Sequence, residues 1–179
     1  MTQLDRALVL IGPMGAGKSS VGRRVAKALG VGFFDTDVAI VRAHGPIPEL
    51  FLGHGEAYFR ALERLAVRDG LATRGVVALG GGAVLDADTR ADLAAHDVVL
   101  LTVEPRVVAT RLRDTTRPLL QGGDPIAEWT RISEQRAPLY AEVADATFDT
   151  SHGPLSAVAE AIVAWVRSSV TDGKWDTDE

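Results

Sequence analysis

The stretch GPMGAGKSS, Gly12 to Ser20, sets one of the chain's three lysines (Lys18, Lys27 and Lys174) inside a run of glycines. It follows the apolar segment ALVLI (Ala7 to Ile11) and precedes VGRRVAKALG, in which Val21, Val25, Ala28 and Leu29 recur at helical spacing. A loop between a strand and a helix is the reading this order imposes. GPMGAGKS also satisfies G-x-x-x-x-G-K-[ST], the phosphate-binding pattern. With this composition chance would produce such a match roughly three times in a thousand chains. Glycine at 12, 15 and 17 lets the backbone curl so that successive N–H groups converge on a phosphate, and the helix beginning near Lys18 adds its positive end. Gly12, Gly15, Ala16, Gly17, Lys18, Ser19 and Ser20 are therefore the candidate nucleotide-binding residues. Lys18 would reach the β- and γ-phosphates while the Ser19 hydroxyl ligates Mg²⁺.

Composition narrows the setting. The chain has 179 residues, 46% of them hydrophobic, which suits one domain with a full core. Absence of cysteine excludes a disulfide framework, a zinc–thiolate cluster and a thiolate nucleophile. A net charge of −5 and a pI near 5.4 argue against a surface built for nucleic acid or an anionic membrane. No apolar run approaches the length of a membrane span, and the first apolar segment leads into the glycine loop rather than a cleavage site. The expected location is cytoplasmic.

Outward from the loop, short apolar runs alternate with helix-like stretches. Strands are expected at Ala7 to Ile11, Gly32 to Asp35, Val76 to Leu79, Val98 to Val103 and Ala146 to Asp149, with helices such as Lys18 to Leu29, Glu56 to Arg68 and Pro154 to Val166 between them. That rhythm predicts an α/β fold: a parallel sheet of about five strands with helices on both faces. Residues 1–168 form the expected domain. RDTTRPLLQGGDP (Arg113 to Pro125) breaks the rhythm and is expected to be a mobile surface loop, and 169–179 an acidic disordered tail.

Three clusters suggest a phosphoryl acceptor. In FFDTD (Phe33 to Asp37), an extended backbone would aim Asp35 and Asp37 to one side, one carboxylate serving a metal shell and the other orienting or deprotonating a hydroxyl; a helix N-cap accounts for the pattern as well. In GEAYFRALE (Gly55 to Glu63), Arg60 lies between Glu56 and Glu63 on one helical face, held still for an anionic ligand or paired on a solvated surface. In ALGGGAV (Ala78 to Val84), three glycines after a strand allow a ligand close to the backbone. A guanine-reading N-K-x-D motif is missing, since the nearest candidate, GKWD (Gly173 to Asp176), lacks Asn; this disfavours a GTPase switch.

Taken together in this order, GPMGAGKSS, DTD, GEAYFRALE, LGGGAV, RPLL (Arg117 to Leu120) and RAPLY (Arg136 to Tyr140) resemble the shikimate kinases, from about Leu8 to about Pro154. The resemblance implies a single three-layer domain of the nucleoside-monophosphate-kinase type with a mobile lid over about 113–125. It implies transfer of the ATP γ-phosphoryl to the 3-hydroxyl of shikimate by a monomer using Mg²⁺. By position it puts Ser19 and Asp35 at the metal, Asp37 on the substrate hydroxyls as base, Arg60 and Arg136 with the backbone at Gly81 and Gly82 on the carboxylate, and Arg117 on the ATP phosphates. Lys18, Asp37 and Arg117 are thus the expected catalytic residues.

The chain departs from this pattern in two places. PIPELF after Gly45 is one residue short of the usual Ser-Ile-containing segment, so the helix start there would lack its usual cap. DTSHGP supplies Ser151 and His152 where the family often has arginine, leaving Arg111 or Arg113 to stack on the adenine. The four histidines (44, 54, 96 and 152) have no metal-ligand spacing and are expected to be ordinary surface or packing residues. Alternative readings are another kinase of a small acceptor, such as gluconate or a nucleoside monophosphate, and a nucleotide-binding module without turnover.

Overall fold

Leu8–Ile11 (β1) is buried at every residue, and its side chains alternate between two cores as a strand requires. Leu8 and Leu10 face one apolar cluster, Val9 and Ile11 the other. The computed structural model describes residues 3–112, 120 and 123–171, with residues 170 and 171 by backbone alone. After β1 and the glycine loop come α1 (Lys18–Leu29), β2 (Phe33–Asp35), α2 (Thr36–His44), α3 (Ile47–His54) and α4 (Glu56–Ala72). Then follow β3 (Val76–Ala78), a short 3₁₀ helix (Ala83–Leu85), α5 (Ala87–Leu93), β4 (Asp97–Thr102) and α6 (Pro105–Arg111). The chain finishes with α7 (Pro125–Val143), β5 (Ala146–Asp149) and α8 (Leu155–Thr171).

The five strands lie in the order β2-β3-β1-β4-β5 and every pairing is parallel. β1 sits in the middle, with Val9 opposite Val77 on one side and Val98 on the other. α1 and α8 cover the face carrying Leu8, Leu10, Val99 and Leu101; Val67 and Leu71 of α4 and Tyr140 of α7 cover the face carrying Val9, Ile11 and Val77. This is the expected helix–sheet–helix arrangement. In such sheets ligands bind beyond the carboxyl ends of the strands where the winding reverses, and the loops after β1, β2 and β3 meet at that edge.

The main departures from expectation lie at α8 and α7. α8 runs to Thr171, past the expected end at Val166, and within this added turn the Ser168 and Ser169 hydroxyls donate back to the Trp165 carbonyl at 2.8 and 3.0 Å. Residues 172–179 of the expected tail lie outside the described residues, as do 113–119, 121 and 122 of the expected lid. α7 is not among the helices that periodicity predicts, for it carries Pro138 in its interior. Among the described residues no helix is long and apolar enough to cross a membrane.

Candidate functional site

The glycine loop owes its shape to bonds on its outer side. Three successive carbonyls are held by three separate elements: Met14 O by Trp129 Nε1–H at 2.8 Å, Gly15 O by Arg111 Nη1–H at 2.8 Å, and Ala16 O by the Thr150 hydroxyl at 2.8 Å. Because the peptide is trans and planar, carbonyls fixed outward turn the N–H groups of Gly15 and Gly17 inward. Gly12 has φ +141°, and a β-carbon there would fall 2.2 Å from Leu101 O, so only glycine fits. Gly17 caps α1 in the left-handed conformation, and no acidic side chain in the first turn neutralises the helix's positive end. Lys18 Nζ arches back to donate to Gly12 O and Pro13 O at 2.7 and 2.9 Å. A cleft of about 310 Å³ opens over this loop, lined in part by Lys18, Ser19, Ser20, Arg23 and Arg111.

β2 ends at Asp35 and the chain turns at once into α2. Asp37 is therefore helical, and the period-two strand argument for its direction is corrected: only Asp35 belongs to the strand. The turn achieves the same end by another route. Thr36 is buried, its hydroxyl donating to Ala78 O and accepting from Gly80 N–H, while both aspartates line the cleft. Asp35 is the N-cap of α2, the plainer of the two readings of this pattern. One oxygen caps α2 by accepting from Val38 N–H at 3.1 Å, and the other accepts a short hydrogen bond from the Ser19 hydroxyl.

A second cleft, of about 540 Å³, lies alongside. The two share Met14, Ser19, Asp35, Asp37 and Gly81. Its polar end is built on α4. Arg60 donates to Glu56 from Nε at 3.3 Å and from Nη2 at 3.2 Å, and to Glu63 from Nη1 at 2.7 Å, the spacing expected of one helical face. Gly82 is bare beneath it, for a β-carbon there would come within 2.3 Å of the Arg60 guanidinium. Arg136 of α7, only 6% exposed, approaches the neighbouring Gly81, where a β-carbon would stand 3.6 Å from its Nη1. Tyr140 of the same helix donates to Gly81 O at 2.5 Å.

Two guanidinium groups thus converge on one short stretch of side-chain-free backbone. Burial lowers the Arg136 pKa, and the charge of Arg60 adds to that; burial pushes the Tyr140 phenol up to about 12. Among the described residues no carboxylate lies within ion-pair distance of Arg136. Such an arrangement invites a carboxylate from outside.

Most expected site residues that the structure describes line the two adjoining clefts: Gly15, Gly17, Lys18, Ser19 and Ser20 at the loop, Asp35 and Asp37 at the junction, and Arg60, Gly81, Gly82 and Arg136 beyond, while the buried Gly12 and Ala16 complete the loop. Arg117 and Arg113 lie outside the described residues. Arg111 lines the phosphate cleft with its guanidinium tied to Gly15 O and Thr150, while Ser151 and His152 are turned to Asp149 and Glu104.

Sequence reasoning passed over Gly80 and the functional weight of Glu63. A β-carbon on Gly80 would sit 2.7 Å from Glu63 Oε2 and 2.9 Å from Asp37 Oδ1, so both carboxylates crowd this one position. Glu63 is 3% exposed, and burial raises its pKa against the pull of Arg60, with the charge of Asp37 adding to the rise. The apolar wall of Ile47, Phe51 and Phe59 also went unmarked, having no signal that separates it from core. The shortened segment after Gly45 behaves as expected: Pro46 precedes α3 and supplies no side-chain cap.

Comparison with known proteins follows the same lines. A family model described as shikimate kinase matches residues 14–167. The chain belongs to the shikimate kinase family. A shikimate kinase of Streptomyces coelicolor is 52% identical over 147 residues, 80% of this chain and 85% of that protein. One from Saccharopolyspora erythraea is 45% identical over 169 residues, 93% and 97% of the two chains. Among solved shikimate kinases, one from Acinetobacter baumannii in complex with shikimate superposes with a TM-score of 0.87 at 37% identity, covering 92% of this chain and 94% of that one. A gluconokinase from Sinorhizobium meliloti shares the fold at 20% identity with a TM-score of 0.61.

Proposed function

We propose that this chain transfers the γ-phosphoryl group of ATP to the 3-hydroxyl of shikimate, releasing ADP and shikimate 3-phosphate. The observation that carries this reading is the meeting of the two clefts at Ser19, Asp35 and Asp37, with a pair of guanidinium groups at the far end of one cleft and a phosphate loop at the other. A small ring acid held by its carboxylate at Arg60 and Arg136 reaches back to Asp37 with its hydroxyls. Its relatives' shared name supports that choice of acceptor.

Each residue then has a step. The inward N–H groups of the loop, with Lys18, hold the β- and γ-phosphates. Arg60 and Arg136 bind the carboxylate by charge-assisted bonds, and the bare backbone of Gly81 and Gly82 lets the ring lie close. Asp37 orients the attacking hydroxyl and takes its proton as the oxygen lone pair attacks phosphorus; the bond from phosphorus to the bridging oxygen breaks and its electron pair stays on that oxygen, which departs as part of ADP. Arg117 is assigned to the phosphates as well.

The donor set also fits Mg²⁺. Ser19 offers a hydroxyl and Asp35 a carboxylate oxygen bonded to it, hard ligands that would hold the ion directly and through water. No described group of three or more His, Cys, Asp or Glu side chains forms a closed metal cage, which suits an ion that shares its shell with phosphates and water. When bound, it neutralises charge developing on the phosphoryl oxygens.

A coupled assay of ADP release, offering shikimate, gluconate and nucleoside monophosphates in turn, tests the reading. Turnover with shikimate alone is expected. Turnover only with another acceptor would overturn the choice of substrate, and silence with all of them would favour a binding module.

A further inference from the structure

We propose that Trp129 is a positioning residue for phosphoryl transfer: its indole N–H, bonded to the Met14 carbonyl, holds the phosphate loop in its anion-accepting shape. This rests on the reading of that loop as the ATP site. Trp129 lies in the second turn of α7 and is 3% exposed, and its Nε1–H donates to Met14 O at 2.8 Å. A tryptophan buried so fully needs a partner for its one donor, and the partner here is a backbone carbonyl of the loop. Because Met14 C=O and Gly15 N–H share one peptide plane, the bond fixes where that N–H points.

Three further features single out this contact. Thr150 and Arg111, which hold the next two carbonyls, are themselves bonded together at 3.1 Å, whereas Trp129 acts on its carbonyl alone from α7. Met14 and Gly15 both line the phosphate cleft, so a shift of the peptide between them is felt where the phosphates bind. Trp129 also sits in a small separate core with Val108, Leu120 and Ile132, against which Met14 and Leu112 pack. That core joins the loop to the two described residues, Leu112 and Leu120, that flank 113–119 in sequence.

Trp129→Phe keeps an aromatic ring in the core and removes the donor. The Michaelis constant for ATP should rise about fivefold, the scale of one net hydrogen bond, and kcat should fall, while the constant for shikimate changes less than twofold and the melting temperature shifts by only a few degrees. Equal kinetic constants for variant and wild type would overturn the proposal, as would parallel weakening of both substrates.

A measurement on unsubstituted Trp129 covers the case in which that variant does not fold. In a Trp165→Phe/Trp175→Phe chain, the remaining indole N–H should exchange slowly with solvent and its proton resonance should move on ADP addition. Fast exchange or an unmoved resonance overturns the proposal. Calorimetry separates the two levels: a wild-type chain that binds no ADP removes the nucleotide reading and this inference together, whereas equal binding by wild type and Trp129→Phe removes only the inference.

Discussion

At the scale of single residues, the site depends on where charge sits relative to burial. Asp37 stands at the junction of the two clefts, facing Gly80 together with Glu63. Replacing it with Asn keeps the shape and removes the proton acceptor, and kcat is expected to fall by about 10² or more, the range of a lost general base; steady-state kinetics at saturating ATP and shikimate reads this, and near-normal turnover would take Asp37 out of that role. The two arginines are not equivalent as tests. Arg60→Ala leaves the buried Glu63 carboxylate without its 2.7 Å partner, so it mixes a folding cost with a binding one. Arg136 has no such partner among the described residues, and Arg136→Ala should weaken shikimate binding by about 1.5–3 kcal/mol with the ATP constant little changed. Isothermal titration with shikimate decides it, and unaltered affinity would dismantle the carboxylate clamp.

At the scale of elements, the acceptor pocket is a helix face pressed onto a strand-end loop. α4 supplies Glu56, Arg60 and Glu63 at three- and four-residue spacing, and the residues after β3 supply the bare backbone they rest on. Gly82 has φ −96°, a conformation open to any residue, so Gly82→Ala strains no dihedral. Its new methyl would instead land 2.3 Å from the Arg60 guanidinium, the far end of a flexible side chain. The fold should accommodate this with little change in melting temperature, while shikimate affinity drops tenfold or more as Arg60 is pushed from its place. Parallel thermal melts and shikimate titrations separate these effects; a variant that binds shikimate normally would show that Arg60 is not held against this wall.

At the scale of the whole molecule, one histidine ties the sheet to its lower edge. His96 Nδ1 accepts from Ala7 N–H at 3.0 Å where the chain enters β1, so this nitrogen must be unprotonated. Burial lowers the His96 pKa below its usual 6.5, against the charge of Asp92 and with that of Arg6. A histidine depressed in the folded state contributes stability that is present above the unfolded value and is lost as pH falls toward the folded one. The melting temperature of the wild type should therefore drop between pH 7.5 and 5.5 by more than that of His96→Asn, whose amide oxygen can accept the same bond without titrating. Equal drops would show that His96 plays no part in the acid sensitivity.

Much of this protein was legible in residue order, because strand and helix periods and the glycine spacing of residues 12–20 are local properties that backbone geometry enforces. They determined the five parallel strands, the phosphate loop, the Arg60 face of α4 and the family. Only the tertiary structure decided that Asp37 points into the site from a helix, that Glu63 is buried against Asp37 across Gly80, and that α7 brings Arg136 to the acceptor cleft and Trp129 to the back of the phosphate loop. Those facts depend on the approach of segments about 40 to 120 residues apart, and such contacts are set by how helices pack on a sheet rather than by any pattern a single segment carries.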